Sequence, residues 1–141
     1  MFNQAMKCLS LAVVLLCPWL ATAQLAVRVM PPKVVGQKAI VELAMTNQLA
    51  VKVESARAMC FLLDEQGKMV GQSAKWIIGG TKDRPALEPK NGTTFSFVIP
   101  TPQLFTATNL TTRVTFTRLV LAGGQVADPN KDIIIEQAQK K

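Results

Sequence analysis

The sequence predicts an all-β sandwich behind a short export segment, and three observations carry that prediction. From residue 24 onward no apolar pattern of helical period persists over any length. Short apolar runs, many of them alternating, recur instead at regular intervals and are bounded by Gly, Pro, Asn or Asp. The third observation is the opening stretch: a single positive charge at Lys7, an apolar run from Leu9 to Leu20, and the small-residue end Ala21-Thr22-Ala23. That is the pattern of a secretory signal cleaved before Gln24. Residues 1–23 are therefore read as a signal peptide and residues 24–141 as one β-sandwich domain, with a periplasmic or secreted destination.

Two other readings of the opening stretch fit less well. A membrane-spanning anchor needs about 20 uninterrupted apolar residues, and this run is shorter and carries Pro18. Lipid attachment at Cys17 would need a small residue before it, whereas Leu15-Leu16 precede and Pro18 follows. No second run of spanning length occurs, so no stable membrane insertion is expected.

Taken in order, the predicted strands are Leu25 to Met30, Lys38 to Thr46, Val51 to Leu63, Lys68 to Ile78, Thr93 to Ile99, Thr112 to Ala122 and Asp132 to Gln137. Pro31-Pro32 ends the first, because proline has no N–H for a ladder. In the second, Ala39, Val41, Leu43 and Met45 share one face. The third begins with Val51 and Val53 on one parity and continues with apolar residues on both, a pattern that a bulge near Ser55 produces. Met59, Phe61 and Leu63 then form a second apolar row, either covered by a loop or exposed to a partner. Asp64-Glu65-Gln66-Gly67 supplies a tight turn. On the fourth strand Val70, Ala74, Trp76 and Ile78 are expected inward, against Gly71, Ser73 and Lys75; Gly79 to Pro85 follows as the longest exposed loop. The fifth places Phe95, Phe97 and Ile99 inward. The sixth puts Arg118 on the parity of Val114, Phe116 and Val120, so a bulge near Thr117 or Arg118 is expected to turn the guanidinium out and Leu119 and Leu121 in. Gly123-Gly124 begins the final hairpin loop, and Asp128 to Asp132 is read as a turn. Seven such strands fit the immunoglobulin-like count of about seven.

Composition limits the chemistry. The chain has no histidine, which removes the usual base for a serine or cysteine nucleophile. Cys8 and Cys17 leave with the signal, so Cys60 stands alone within an apolar strand and is read as a buried, inert thiol. Ser73 and Lys75, two apart on one strand, are the sole residual idea for a hydrolase dyad. Met30, Met45, Met59 and Met69 are too dispersed to suggest a copper site, and no metal ligand set, cofactor or catalytic residue is expected. Only Lys7 of the 16 basic residues goes with the signal, leaving fifteen cations against nine acids. The cations are scattered, and the aromatics alternate as core residues without interleaved basic side chains, so nucleic acid is not an expected partner.

Cys60-Phe61-Leu62-Leu63-Asp64, then Gly67 and Val70, then Leu87-Glu88-Pro89 with Phe95 downstream, resembles the extracytoplasmic immunoglobulin-like domains of the FxLYD type. In that pattern a strand ends in Phe-x-Leu-Tyr-Asp, an Asp-x-x-Gly turn follows, and a later Leu-x-Pro precedes a strand with an inward Phe. Here Cys60 stands in the Phe place and Leu63 in the Tyr place. The resemblance covers roughly residues 38 to 122 and implies a sandwich that carries no catalytic residues.

The expected function is an exported, non-catalytic interaction or envelope accessory module, monomeric by default. Its partner would be another envelope or secreted protein of acidic character, met through Met59, Phe61, Leu63, Trp76, Lys82 and Arg84 or through a strand edge. The alternative is a periplasmic carrier of a small molecule or metal.

Overall fold

The computed structural model describes residues 23–101 and 110–138. Apart from Ala23, the predicted signal peptide lies outside them. Among the described residues the chain forms nine strands: β1 (Leu25–Val29), β2 (Lys33–Val35), β3 (Lys38–Asn47), β4 (Val53–Leu63), β5 (Met69–Ile78), β6 (Gly92–Pro100), β7 (Thr111–Leu121), β8 (Gln125–Ala127) and β9 (Ile133–Gln137). They make two sheets, so the fold is all-β.

In the first sheet β3 is central. β6 pairs antiparallel along one edge of it, from Lys38 to Thr46. β1 and β2 share the other edge, β1 opposite Leu43 to Asn47 and β2 opposite Lys38 to Ile40. Pro31-Pro32 separates them as expected, but the chain resumes pairing afterwards, which the sequence reading missed. β9 lies parallel to β1, Leu25 opposite Ile133 and Val29 opposite Gln137. The second sheet has the order β5-β4-β7-β8, antiparallel throughout.

The core fills the space between the sheets. Leu25, Val27 and Val29 of β1, Ala39 to Met45 at alternate positions of β3, and Phe97 and Ile99 of β6 meet Ala56, Ala58, Cys60 and Leu62 of β4 and Val114, Phe116 and Leu119 of β7. This is the alternation a pleated strand imposes, and the faces expected for the second and fifth predicted strands are observed. Phe95 is half-buried and meets Phe97 edge to face, ring centroids 5.0 Å apart, a favoured aromatic geometry.

The bulge expected near Thr117 is present, and so is the one near Ser55 that offered one explanation of the third strand's pattern. Pairing between β4 and β7 slips between Val53 and Ser55, so the inward position passes from Val53 to Ala56. It slips again at Thr117: Ala58 pairs with Phe116 and Arg57 with Arg118, so Arg118 is exposed and Leu119 is buried.

The fourth predicted strand requires a correction. Directly opposed residues of an antiparallel pair lie on the same side of the sheet. Leu62 is opposite Gly71 and Cys60 is opposite Ser73, so Gly71, Ser73 and Lys75 take the inner side. A Cβ on Gly71 would fall 2.9 Å from Ile99 Cγ2. Ala74 and Trp76 lie on the outer side with Met59 and Arg57. Slips near Val70 and Ile77 let Val70 pack on the core and bury Ile77 and Ile78, and these irregularities defeat a strict parity count.

The segment before β9 is a short helical turn, Pro129–Asp132, capped by Asp128, whose Oδ1 accepts from the Asn130 amide at 3.0 Å. No helix of the described residues is long and apolar enough to cross a membrane.

Candidate functional site on the outer face of the second sheet

Register assembles the site. Along β4 the outward residues are Arg57, Met59, Phe61 and Leu63, each half-buried. Across on β5 they face Trp76, Ala74, Gln72 and Met69 in turn. Across on β7 they face Arg118, Thr115, Arg113 and Thr111. The row Met59, Phe61 and Leu63 thus lies in the middle of a three-stranded surface, with Trp76 diagonal to Met59. Diagonal neighbours in a sheet are about 7–8 Å apart, within reach of an aromatic ring.

This surface is basic. Its outward residues include Arg57, Arg113 and Arg118, and residues 57–63, 69–76 and 111–118 contain no acid at all. Arg113 is directly opposite Phe61, and Arg118 directly opposite Arg57. Like charges so placed repel, and no ion pair relieves either arginine among the described residues. The sequence reading missed Arg57, Arg113 and Arg118. Acid-free composition of the three stretches was visible, but which strands adjoin each other was not.

Arg57 sits where both neighbouring strands slip. β7 carries the extra residue Thr117 beside it, and Thr117 Oγ1 donates to the Arg57 carbonyl at 3.3 Å. β5 carries Ile77, since Arg57 pairs with Trp76 but Ala56 with Ile78. A bulge places two residues opposite one and bends its strand. Two bulges at one level converge Trp76, Arg57 and Arg118 on the outer face.

The Gly79–Pro85 loop closes one flank. Gly79 has φ of 55° and is so tightly placed that a Cβ would meet the Glu54 carbonyl oxygen, while a Cβ on Gly80, at φ 78°, would fall 2.5 Å from the Trp76 indole. Only glycine permits both the left-handed backbone and this approach. The loop therefore leans on Trp76, and a notch of about 370 Å³ opens between them. Of the two loop cations expected to greet a partner, Lys82 is exposed. Arg84 is half-buried, its guanidinium carbon 4.4 Å from the Phe95 ring centroid in a cation–π contact.

The remaining chemical candidates are placed elsewhere. Cys60 is fully buried between the sheets, and burial pushes its thiol up to about 12. It faces Ser73 across the strand pair. Ser73 and Lys75 share the inner side of β5, Ser73 half-buried and Lys75 exposed. Among the described residues no group of three or more His, Cys, Asp or Glu is placed to hold a metal ion.

Comparison with known proteins bears on the fold. No family model matches the chain, and no curated protein matches it. Among solved structures, a Bordetella pertussis protein assigned the name ApaA superposes with a TM-score of 0.53 at 18% identity, over 74% of this chain and 85% of that one. A β-glucuronidase of glycoside hydrolase family 2 superposes with a TM-score of 0.39 at 14% identity, over 74% of this chain and 13% of that one. At such identities the first likeness concerns the arrangement of strands.

Proposed function

We propose that this chain is an exported, non-catalytic interaction module on an immunoglobulin-like sandwich, and that it docks an acidic protein of the cell envelope or exterior on the outer face of β5-β4-β7. The strand order supports the architecture: β1, β3 and β6 in one sheet, with β2 and β9 added, against β5, β4, β7 and β8 in the other resembles the division of strands in an immunoglobulin-like sandwich. Export rests on the signal-like opening of the sequence.

One observation carries the docking surface. Met59, Phe61 and Leu63 form an apolar row beside Trp76, bordered by three arginines and free of carboxylates along the facing strand stretches. Aromatic residues, Met and Arg are the types enriched where proteins meet. The absence of acids gives the face one sign, which selects an acidic partner and repels a basic one.

A crosslinking capture from the native envelope tests this, with the wild-type chain and a Met59→Lys, Phe61→Lys variant in parallel. Replacing an anchor residue costs on the order of 2 kcal/mol or more at an interface centre, about 30-fold in affinity. The expected result is an acidic protein captured by wild type and lost by the still-folded variant. Equal capture by both would overturn the assignment of the surface.

A further inference from the structure

Resting on that docking face, we propose that the opposed pair Arg57 and Arg118, at the edge of the notch beside Trp76, is a carboxylate-binding site that holds an acidic side chain of a partner peptide while its neighbouring apolar residues run along Met59, Phe61 and Leu63. Three features of the structure converge on this. The first is the double slip: β5 and β7 each carry an extra residue at the level of Arg57, and the result is Trp76 on one side of Arg57 and Arg118 on the other. Bulges recur where a strand must re-aim a side chain at a site.

The second feature is an unbalanced charge pair. Arg57 and Arg118 are directly opposed, on strands whose opposed Cα atoms lie about 4.5–5.5 Å apart. No ion pair offsets their repulsion among the described residues. A carboxylate placed over them would convert that repulsion into two charge-assisted hydrogen-bonding partners, and the guanidinium fork matches a carboxylate in geometry. The third feature is the enclosure. Arg57, Lys75 and Trp76 from the strands, and Thr81, Asp83 and Arg84 from the loop, bound the space. Asp83 contributes one negative charge to this rim, and the Arg84 guanidinium is engaged with Phe95, so Arg57 and the exposed Lys75 at the β5 edge leave the notch positive, and Arg118 adjoins it across β4.

A peptide fits the surface better than a polyanionic chain. The arginines adjoin an apolar row about three residues long on β4, and a segment mixing acids with apolar side chains satisfies both. A uronic-acid polymer would satisfy the charge and leave the apolar row in water.

Trp76 reports directly on the site. In the full chain carrying Trp19→Phe it is the single indole, so its emission can be titrated with an alternating Glu-Leu peptide, with polygalacturonate and with inorganic phosphate. The expected result is a saturable emission change with the peptide, weakened tenfold or more in Arg57→Gln, Arg118→Gln and also weakened in Met59→Lys, Phe61→Lys. Polygalacturonate and phosphate should give no comparable response. Because the opposed arginines repel each other, Arg118→Gln should raise Tm at low salt while weakening the peptide, an opposition of sign that a structural arginine would not give. Arg118→Gln alone, at an exposed position, keeps the test open if the double variant unfolds. Unchanged peptide affinity in folded arginine variants would sink the proposal, as would an equal response to polygalacturonate. An envelope partner captured through Met59 and Phe61 but indifferent to Arg57 and Arg118 would remove the notch and leave the docking face standing. Peptide binding that depends on the arginines, with no protein captured, would do the reverse.

Discussion

Cys60 is the residue whose ionisation is most tied to the fold. It sits at zero exposure between Ala58 and Leu62, and burial alone raises its thiol from 9.0 to about 12. The protonated form is therefore favoured in the folded state over the unfolded one. Below about pH 9 the thiol is protonated in both states and the full contribution is present; as pH rises from about 9 to about 12 the unfolded thiol ionises first and stability falls. Thermal unfolding followed across that range should show a downward slope that is shallower in Cys60→Ala, and parallel slopes would refute the assignment. This residue was legible in the sequence because its neighbours are apolar on both sides. Asn47 was not. It is fully buried, its Nδ2 donating to the carbonyls of Val51 and Leu87 at 3.0 Å each and its Oδ1 accepting from the Leu49 amide at 2.9 Å. A side chain that satisfies one buried and two part-buried backbone groups holds the loops at that end of the sandwich. One of those partners is 40 residues away, and no local pattern announces such a bond.

At the scale of the element, the instructive contrast is between β7 and β5. Both slip beside Arg57, yet only the β7 slip could be inferred. Arg118 on the parity of Val114 and Phe116 is a physical conflict that a bulge resolves, whereas β5 contains small and mixed residues at 71 to 75 and offers no conflict to read. The extra residue on β7 also makes a test. Phe116 points in, Thr117 and Arg118 out, and Leu119 in, so deleting Thr117 leaves regular alternation with every core residue still inward. Its stability should stay within about 1 kcal/mol of wild type, while deleting Thr115, inside a regular stretch, turns Val114 or Phe116 outward and costs several kcal/mol, as loss of a buried aliphatic or aromatic side chain does. Chemical denaturation of the two deletions decides the matter; comparable losses would mean that Thr117 is part of the packing. β2 and β8, at three residues each, are too short for any alternation to register.

For the whole molecule, the all-β class and most strand positions followed from alternation and turn residues, whereas Trp76, expected inward, lies instead on the outer face with Met59, Phe61 and Leu63. What the chain order withheld was pairing across sheets, and with it the arginines of the site. It also withheld the course of the last strand. After β8 the chain leaves the second sheet and β9 settles alongside β1, parallel to it, with the Ala138 amide donating to the Val29 carbonyl at 2.8 Å. Because the two strands run the same way, the chain enters this pair at Leu25 and departs at Gln137, at opposite ends. Tension applied through those points pulls the strands lengthwise past each other, and the bonds joining them bear load together instead of opening one by one. Loaded in this way, the pair should resist stretching along the chain direction. Single-molecule extension from these two points should show one abrupt rupture, and a low, gradual peeling of β9 would contradict this mechanical role for the parallel pair.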